Sequence, residues 1–545
     1  MNNNMQHINI LTRRAFLDRS FKTGMAVALS TLVDVPFVVK RALAEGNIGL
    51  NGKKLLFIFL RGANDALNSV IPILDSAYNA TNRPNIMIPA DTVDYSVPGA
   101  CFDPTQFLDV AGTARSPADA TFAYAKAVGL GNGFAALHPS LKFLAPVYNA
   151  GDLALVHRVA YPRQSRSHFD SQDYWETGTP NNNLVTDGIF YRTMLESGLA
   201  NSSPLTGVSI QSSLPLSLRG SAAAMTNLND PTRYNLLSVP TPTGDPKADG
   251  AIGQANQFGF PDKLSRELLN LQYQNMLNTL QIFASINFGD SGNTFVDNAP
   301  TDGDTAAYYL FPTSNQKNGG YTLHANDPNK YVVDTGAYGF FTNLKAASII
   351  LNKTDAIVAG TEYDGFDTHQ MQVGATSVVG GHANLLRRIG WAMYALRKYF
   401  TYYADKATWN NLIVVTLSEF GRTTVQNTSN GTDHAEGGVM FLAGGGIKGY
   451  NKGNPSGVFG CSPTDAIPWV PGQTGSMFGA SSRYLKRAHD YRSVLGKIIR
   501  DHLGATPAQL ARIIPGYGVA GEHLQAGGTS SVDGTPIMGE PNILV

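Results

Sequence analysis

A Glu, an Arg, an Asp and a His able to bind a cation or an anion are gathered in one stretch, SEFGRTTVQNTSNGTDHAEGG: Glu419, Arg422, Asp433 and His434. Carboxylate and imidazole donors suit divalent metals, and a guanidinium suits phosphate-type anions. The same chemistry recurs upstream. Asp367 and His369 stand two apart in YDGFDTH, a spacing at which both can face one ion from a loop. Asp65 stands in RGANDALN, where Asn64 and Asp65 read either as a site or as a turn and helix cap. Ser165, Arg166, Ser167 and His168 follow one another in YPRQSRSHFD. Ser167 reads as the N-cap of a helix through Trp175, where free N–H groups and the helix dipole favour an anion. A serine there is either a cap alone or a nucleophile whose developing charge is stabilised by metal and N–H groups. Arg163 and Arg166 suit an anionic substrate.

Buried strands must position these groups. Lys54 to Leu60, Leu153 to Val156, Ala356 to Ala359 and Leu412 to Val415 are apolar runs, each followed by one of the candidate segments. Runs without alternation are expected for strands covered on both faces, and open α/β sheets place ligands at the C-terminal ends of such strands. A fifth run, Val439 to Ala443, follows His434. Helical spacing marks Asp262 to Phe283 and Ala383 to Tyr403; helices are also expected over Leu141 to Tyr148 and Tyr338 to Leu351, and His489-Asp490-Tyr491-Arg492 leads into a further one through His502. The order predicts an α/β fold with a mostly parallel sheet and helices on both faces. From 188 to 336 the composition turns to Asn, Ser, Thr, Pro and Gly, which reads as an inserted cap region. Residues 518–545 read as a loose C-terminal tail.

The 545 residues carry 41 basic and 41 acidic side chains, so there is no basic excess of the kind nucleic-acid binders show. Cys101 and Cys461 are the two cysteines, and they form no close metal-binding spacing; they could pair in an exported protein. At the N-terminus, Arg13-Arg14, an interrupted apolar stretch and Ala42-Leu43-Ala44 form the order of a twin-arginine export signal over residues 1–44. The mature chain, 45–517 plus the tail, is therefore expected in the periplasm or outside the cell. No stretch is long and apolar enough for a stable membrane span.

FLRGANDALNSVIP, RSHFDSQDYWETG, DGFDTH, SEFGRT and DHAEGG, together with the leader, resemble the exported bacterial family catalogued as domain of unknown function 1501. The resemblance covers roughly Lys53 to Gly516, and it implies an alkaline phosphatase and sulfatase-like core. In that superfamily Asp and His ligands at strand ends hold one or two metals, and a Ser, Thr or modified Cys at a helix N-terminus attacks phosphorus or sulfur. By position Asp65 resembles the first-strand ligand, and Ser167 or Ser165 the nucleophile. Asp367 and His369 resemble the next ligands, Glu419 stands where an Asp is usual, and His434 resembles the late His. Phe420 departs from the pattern, because a second His is usual there; His168 or Asp433 could complete the set. The implied cofactor is one or two divalent ions: Zn²⁺, Mn²⁺, Ca²⁺ or Mg²⁺. The implied function is hydrolysis of a small anionic phosphate or sulfate ester, with Arg166 or Arg422 binding the anion. The alternative is a non-catalytic exported protein that uses the fold to bind an exported partner protein or for envelope assembly. Relatives are often encoded beside a second exported family, domain of unknown function 1800.

Overall fold

The computed structural model describes residues 48–90, 126–198, 205–221, 225–229, 335–462, 464–467 and 483–545, with short pieces between 279 and 313. The export leader, Cys101 and most of the helix expected at Asp262 to Phe283 lie outside the described residues.

Strand β1 (Lys54–Leu60) runs through the middle of a nine-stranded sheet and is buried along its whole length. It pairs in parallel with β5 (Val358–Tyr363) on one side and β6 (Leu412–Leu417) on the other. Beyond β5 lie β3 (Gly207–Ile210) and β4 (Thr226–Leu228), both parallel. Beyond β6 comes β7 (Gly438–Ala443), which is antiparallel to β6 and to the next strand, β2 (Leu153–Ala160). The short strands β8 (Val458–Phe459) and β9 (His489–Asp490) continue one after the other along the outer edge of β2. The sheet is thus mostly parallel, with β7 as its reversed member among the described strands.

Alternation along β1 divides two cores. Leu56, Ile58 and Leu60 pack with α3 (Tyr338–Lys353) and α4 (Gly381–Tyr402). Leu55, Phe57 and Phe59 face the other way, toward α1 (His168–Thr177), α2 (Ile189–Glu196), α5 (Tyr491–Lys497) and α6 (Pro507–Ile513). Burial on both faces explains why the strands read as continuous apolar runs.

Three expectations are corrected. The strand expected at Ala356 to Ala359 begins at Val358 and runs on to Tyr363. Part of the expected cap region belongs to the main body, since β3 and β4 extend the sheet and α2 packs beneath it. The tail is packed rather than loose: Leu524, Ile537 and Ile543 are buried, and Met538 N–H donates to Ala488 C=O at 2.8 Å. Among the described residues no helix is long and apolar enough to cross a membrane.

Candidate metal centre

The C-terminal ends of β1, β5 and β6 meet at one point. Gly62, just past β1, has φ of +106°, and a Cβ there would stand 2.3 Å from Asp367 N. Only a glycine lets the two loops come this close. Its N–H donates to Glu419 Oε1 at 2.8 Å, so the loop after β1 also holds the loop after β6.

Asp367 is the centre of the cluster. His369 Nε2 lies 3.1 Å and His434 Nε2 3.2 Å from Asp367 Oδ1, and the two imidazole nitrogens are 2.9 Å apart. His168 Nε2 approaches the other carboxylate oxygen at 3.3 Å. His168 opens α1, which is capped at Ser167 as expected: the Ser167 hydroxyl accepts from Asp170 N–H. The reversal of β7 brings His434 back over the sheet end, where it forms an isolated bridge with Arg422.

The far side of each ring fixes its chemistry. His168 Nδ1 faces Glu419 Oε1 at 2.8 Å, His369 Nδ1 faces Asp433 Oδ1 at 3.1 Å, and His434 Nδ1 faces the Arg166 carbonyl at 2.8 Å. Each acceptor calls for the proton on Nδ1, leaving the lone pair of a neutral ring on Nε2. Three lone pairs then point at a carboxylate, an arrangement that repels unless a cation or added protons lie between them. Carboxylate and carbonyl partners behind ligating histidines are the usual outer shell of metal sites. Donors about 2.0–2.1 Å from a tetrahedral ion lie roughly 3.3 Å from one another, close to the spacings here. The donor set therefore fits one divalent ion, with His168, Asp367 and His434 as a mutually close trio and His369 beside them.

Electrostatics hold the carboxylates ionised. Burial pushes Asp367 upward, but the Arg422 guanidinium, 2.5 Å away, outweighs it and holds the carboxyl below its ordinary range. Burial likewise opposes ionisation of Glu419, and hydrogen bonds from His168, Gln172 and Gly62 win, so its pKa is lowered. Hydrogen bonds from Asn427, His369 and Arg483 lower Asp433. The hydrogen bond to Glu419 raises His168, whereas burial lowers His434.

Other sequence candidates lie elsewhere. Asp65 is fully buried and its oxygens are engaged by Arg83 at 2.9 and 3.2 Å and by Gln372 at 2.7 Å, so it braces the core behind the cluster. Arg422 is buried too, and it donates to the Ala63 and Phe366 carbonyls as well as to Asp367. It sets Asp367 and is not open to an incoming anion. Arg166 is exposed, with its guanidinium over the Tyr484 ring. The Ser165 hydroxyl is tied to Asp170 at 3.3 Å. Phe420, fully buried, packs against His168 and His434 at ring distances of 4.9 and 4.7 Å and offers the cluster no donor atom. Asp433 is the residue whose role the sequence left open: it holds His369 rather than facing the central carboxylate, and its position directly before His434 was the available signal.

No curated protein and no solved structure matches the chain. Residues 346–453, a span that carries Asp367, His369, Glu419, Asp433 and His434 but not His168, match the model of a family described as protein of unknown function (DUF1501), and that match supports the DUF1501 family for this chain.

Proposed function

We propose that the chain is an exported, metal-dependent hydrolase of phosphate or sulfate esters, built on an alkaline phosphatase and sulfatase-like core. The observation that carries this reading is the convergence of His168, His369 and His434 through Nε2 on Asp367, each ring being pinned behind by an acceptor. Those four residues would hold one divalent ion, which when bound polarises an ester oxygen and eases ionisation of a hydroxyl. Three imidazoles favour Zn²⁺ over Ca²⁺ and Mg²⁺, which prefer oxygen donors. Phe420 supports one ion rather than two.

Ser167 is the nucleophile candidate. It lies between Arg166, whose carbonyl orients His434, and His168, and its hydroxyl oxygen accepts only a long 3.5 Å bond from Asp170 N–H. The exposed Arg166 side chain would take the anion, and buried Arg422 would keep Asp367 ionised. Elemental analysis of metal-replete protein tests the centre: one equivalent of metal, lost in His434→Ala, is expected. Ser167→Ala is then expected to abolish ester hydrolysis, and full retention would remove Ser167 from the mechanism.

One observation favours the other reading, a non-catalytic exported protein that binds a partner protein. The Arg422 ion pair already meets the charge of Asp367 from within the protein. Metal-free protein from a metal-replete preparation, with an exported partner co-purifying, would support it.

A further inference from the structure

Beside the centre lies an open cleft of about 430 Å³. Asp433 is the shared wall: Oδ1 faces His369 Nδ1 at 3.1 Å, while Oδ2 accepts from Arg483 at 2.8 Å. Besides Asp433 and the floor residues Gln426 and Asn427, the polar lining includes Thr81, Asn82, Thr428 and Arg483, and its apolar contributions are Pro84 and Val425. Among the described residues no aromatic ring lines it. Its floor is preorganised. Gln426 Oε1 accepts the N–H groups of Asn85 and Ile86 at 2.8 and 3.1 Å. Asn427 donates to Asp433 and to the His369 carbonyl, both at 2.9 Å, and accepts from Ser429 and Gly431 N–H groups. The same hydrogen-bond chain thus sets the floor and holds His369.

We propose that this cleft is the subsite for the alcohol part of the ester, and that this part is a polyhydroxylated ring: the substrate class is a sugar phosphate or sugar sulfate. The inference rests on the hydrolase reading above. The volume falls in the range of small-molecule sites and far exceeds what a phosphate group alone needs. Hydroxyl, amide and guanidinium groups are donors and acceptors for sugar hydroxyls, and a site built to hydrogen-bond hydroxyls discriminates strongly against analogues that lack them. Arg483 lines the cleft and is about half exposed, with one guanidinium nitrogen bonded to Asp433. The competing chemistry is apolar. Phe169, next to His168, and Met371, two residues past His369, are 85% and 72% exposed, and they would suit an aryl or alkyl ester instead.

The test compares glucose 6-phosphate, phenyl phosphate and methyl phosphate on the full mature chain loaded with Zn²⁺. Glucose 6-phosphate is expected to have at least a tenfold higher kcat/KM than the other two. The double variant Thr81→Val, Thr428→Val is expected to reduce that preference about tenfold, chiefly through KM. A preference for phenyl phosphate, or an unaltered preference in the double variant, overturns the subsite. If no ester is hydrolysed, the hydrolase reading fails by itself and calorimetric titration decides the cleft. Glucose 6-phosphate binding at least tenfold tighter than methyl phosphate, and weakened by the double variant, sustains it; equal binding or none overturns it.

Discussion

At the scale of the residue, the histidines divide the carboxylates into two kinds. Asp367 lies on the Nε2 side of three rings, while Glu419 and Asp433 stand behind two of them. Glu419→Gln keeps the shape but weakens the grip on the His168 N–H, so metal affinity should fall about 10- to 100-fold, measured by competition with a chromogenic chelator. Asp65→Asn should act on the fold instead. It leaves Arg83 buried without its carboxylate, a loss of about 3–5 kcal/mol in denaturant unfolding, with metal affinity of the folded protein unchanged. A metal-affinity loss in Asp65→Asn comparable to that in His434→Ala would return Asp65 to the ligand set. The residue types and their places after strands were legible in the sequence, and Asp367, His369 and His434 do converge. That Asp65 and Arg422 serve the core was not legible, because their partners Arg83, Gln372 and the Ala63 carbonyl come from loops whose path no local pattern sets.

At the scale of the element, the strand ends do the positioning. Gly62→Ala would place a methyl against the Asp367 backbone at a φ that L-residues rarely adopt, forcing the β1 and β5 loops apart. Metal affinity should drop at least tenfold while far-UV circular dichroism stays native; undiminished affinity would show that the loops can shift without cost to the centre. At the other end of β1, Lys54 is buried, with its ammonium donating to the Thr354 and Ala356 carbonyls at 3.0 and 2.8 Å. Burial lowers its pKa to about 8 from 10.5. Between those values the unfolded chain holds a proton that the folded one has released, so stability should rise with pH across that window. Relative to Lys54→Met, the wild type should gain about 3 kcal/mol between pH 7.5 and 10.5 in urea unfolding. No change in that difference would mean that the two carbonyls keep the lysine charged. The strands themselves were legible because burial on both faces leaves unbroken apolar runs. The reversal of β7 was not, since a run such as Val439 to Ala443 looks the same in either direction.

At the scale of the whole molecule, a bound ion adds its binding energy to the fold. Metal at 100 times its Kd should stabilise the protein by about 2.7 kcal/mol, seen as a higher denaturant midpoint that a chelator reverses and that His434→Ala lacks. The packed tail contributes independently. Glu540 ties it to Arg500 on the helical layer at 2.6 and 2.7 Å, which explains why a segment composed like a loose arm is ordered. Composition reports how a segment looks to solvent, and it is silent about anchors supplied from elsewhere in the chain.

The contact between His168 and Glu419 joins residues 251 positions apart. Closing so long a span costs more chain entropy than closing a local turn, and contacts of this separation slow folding. The cluster therefore works as a completion mark on the chain: a molecule truncated before Glu419 lacks His434 and the carboxylate behind His168, and cannot present the full set of donors.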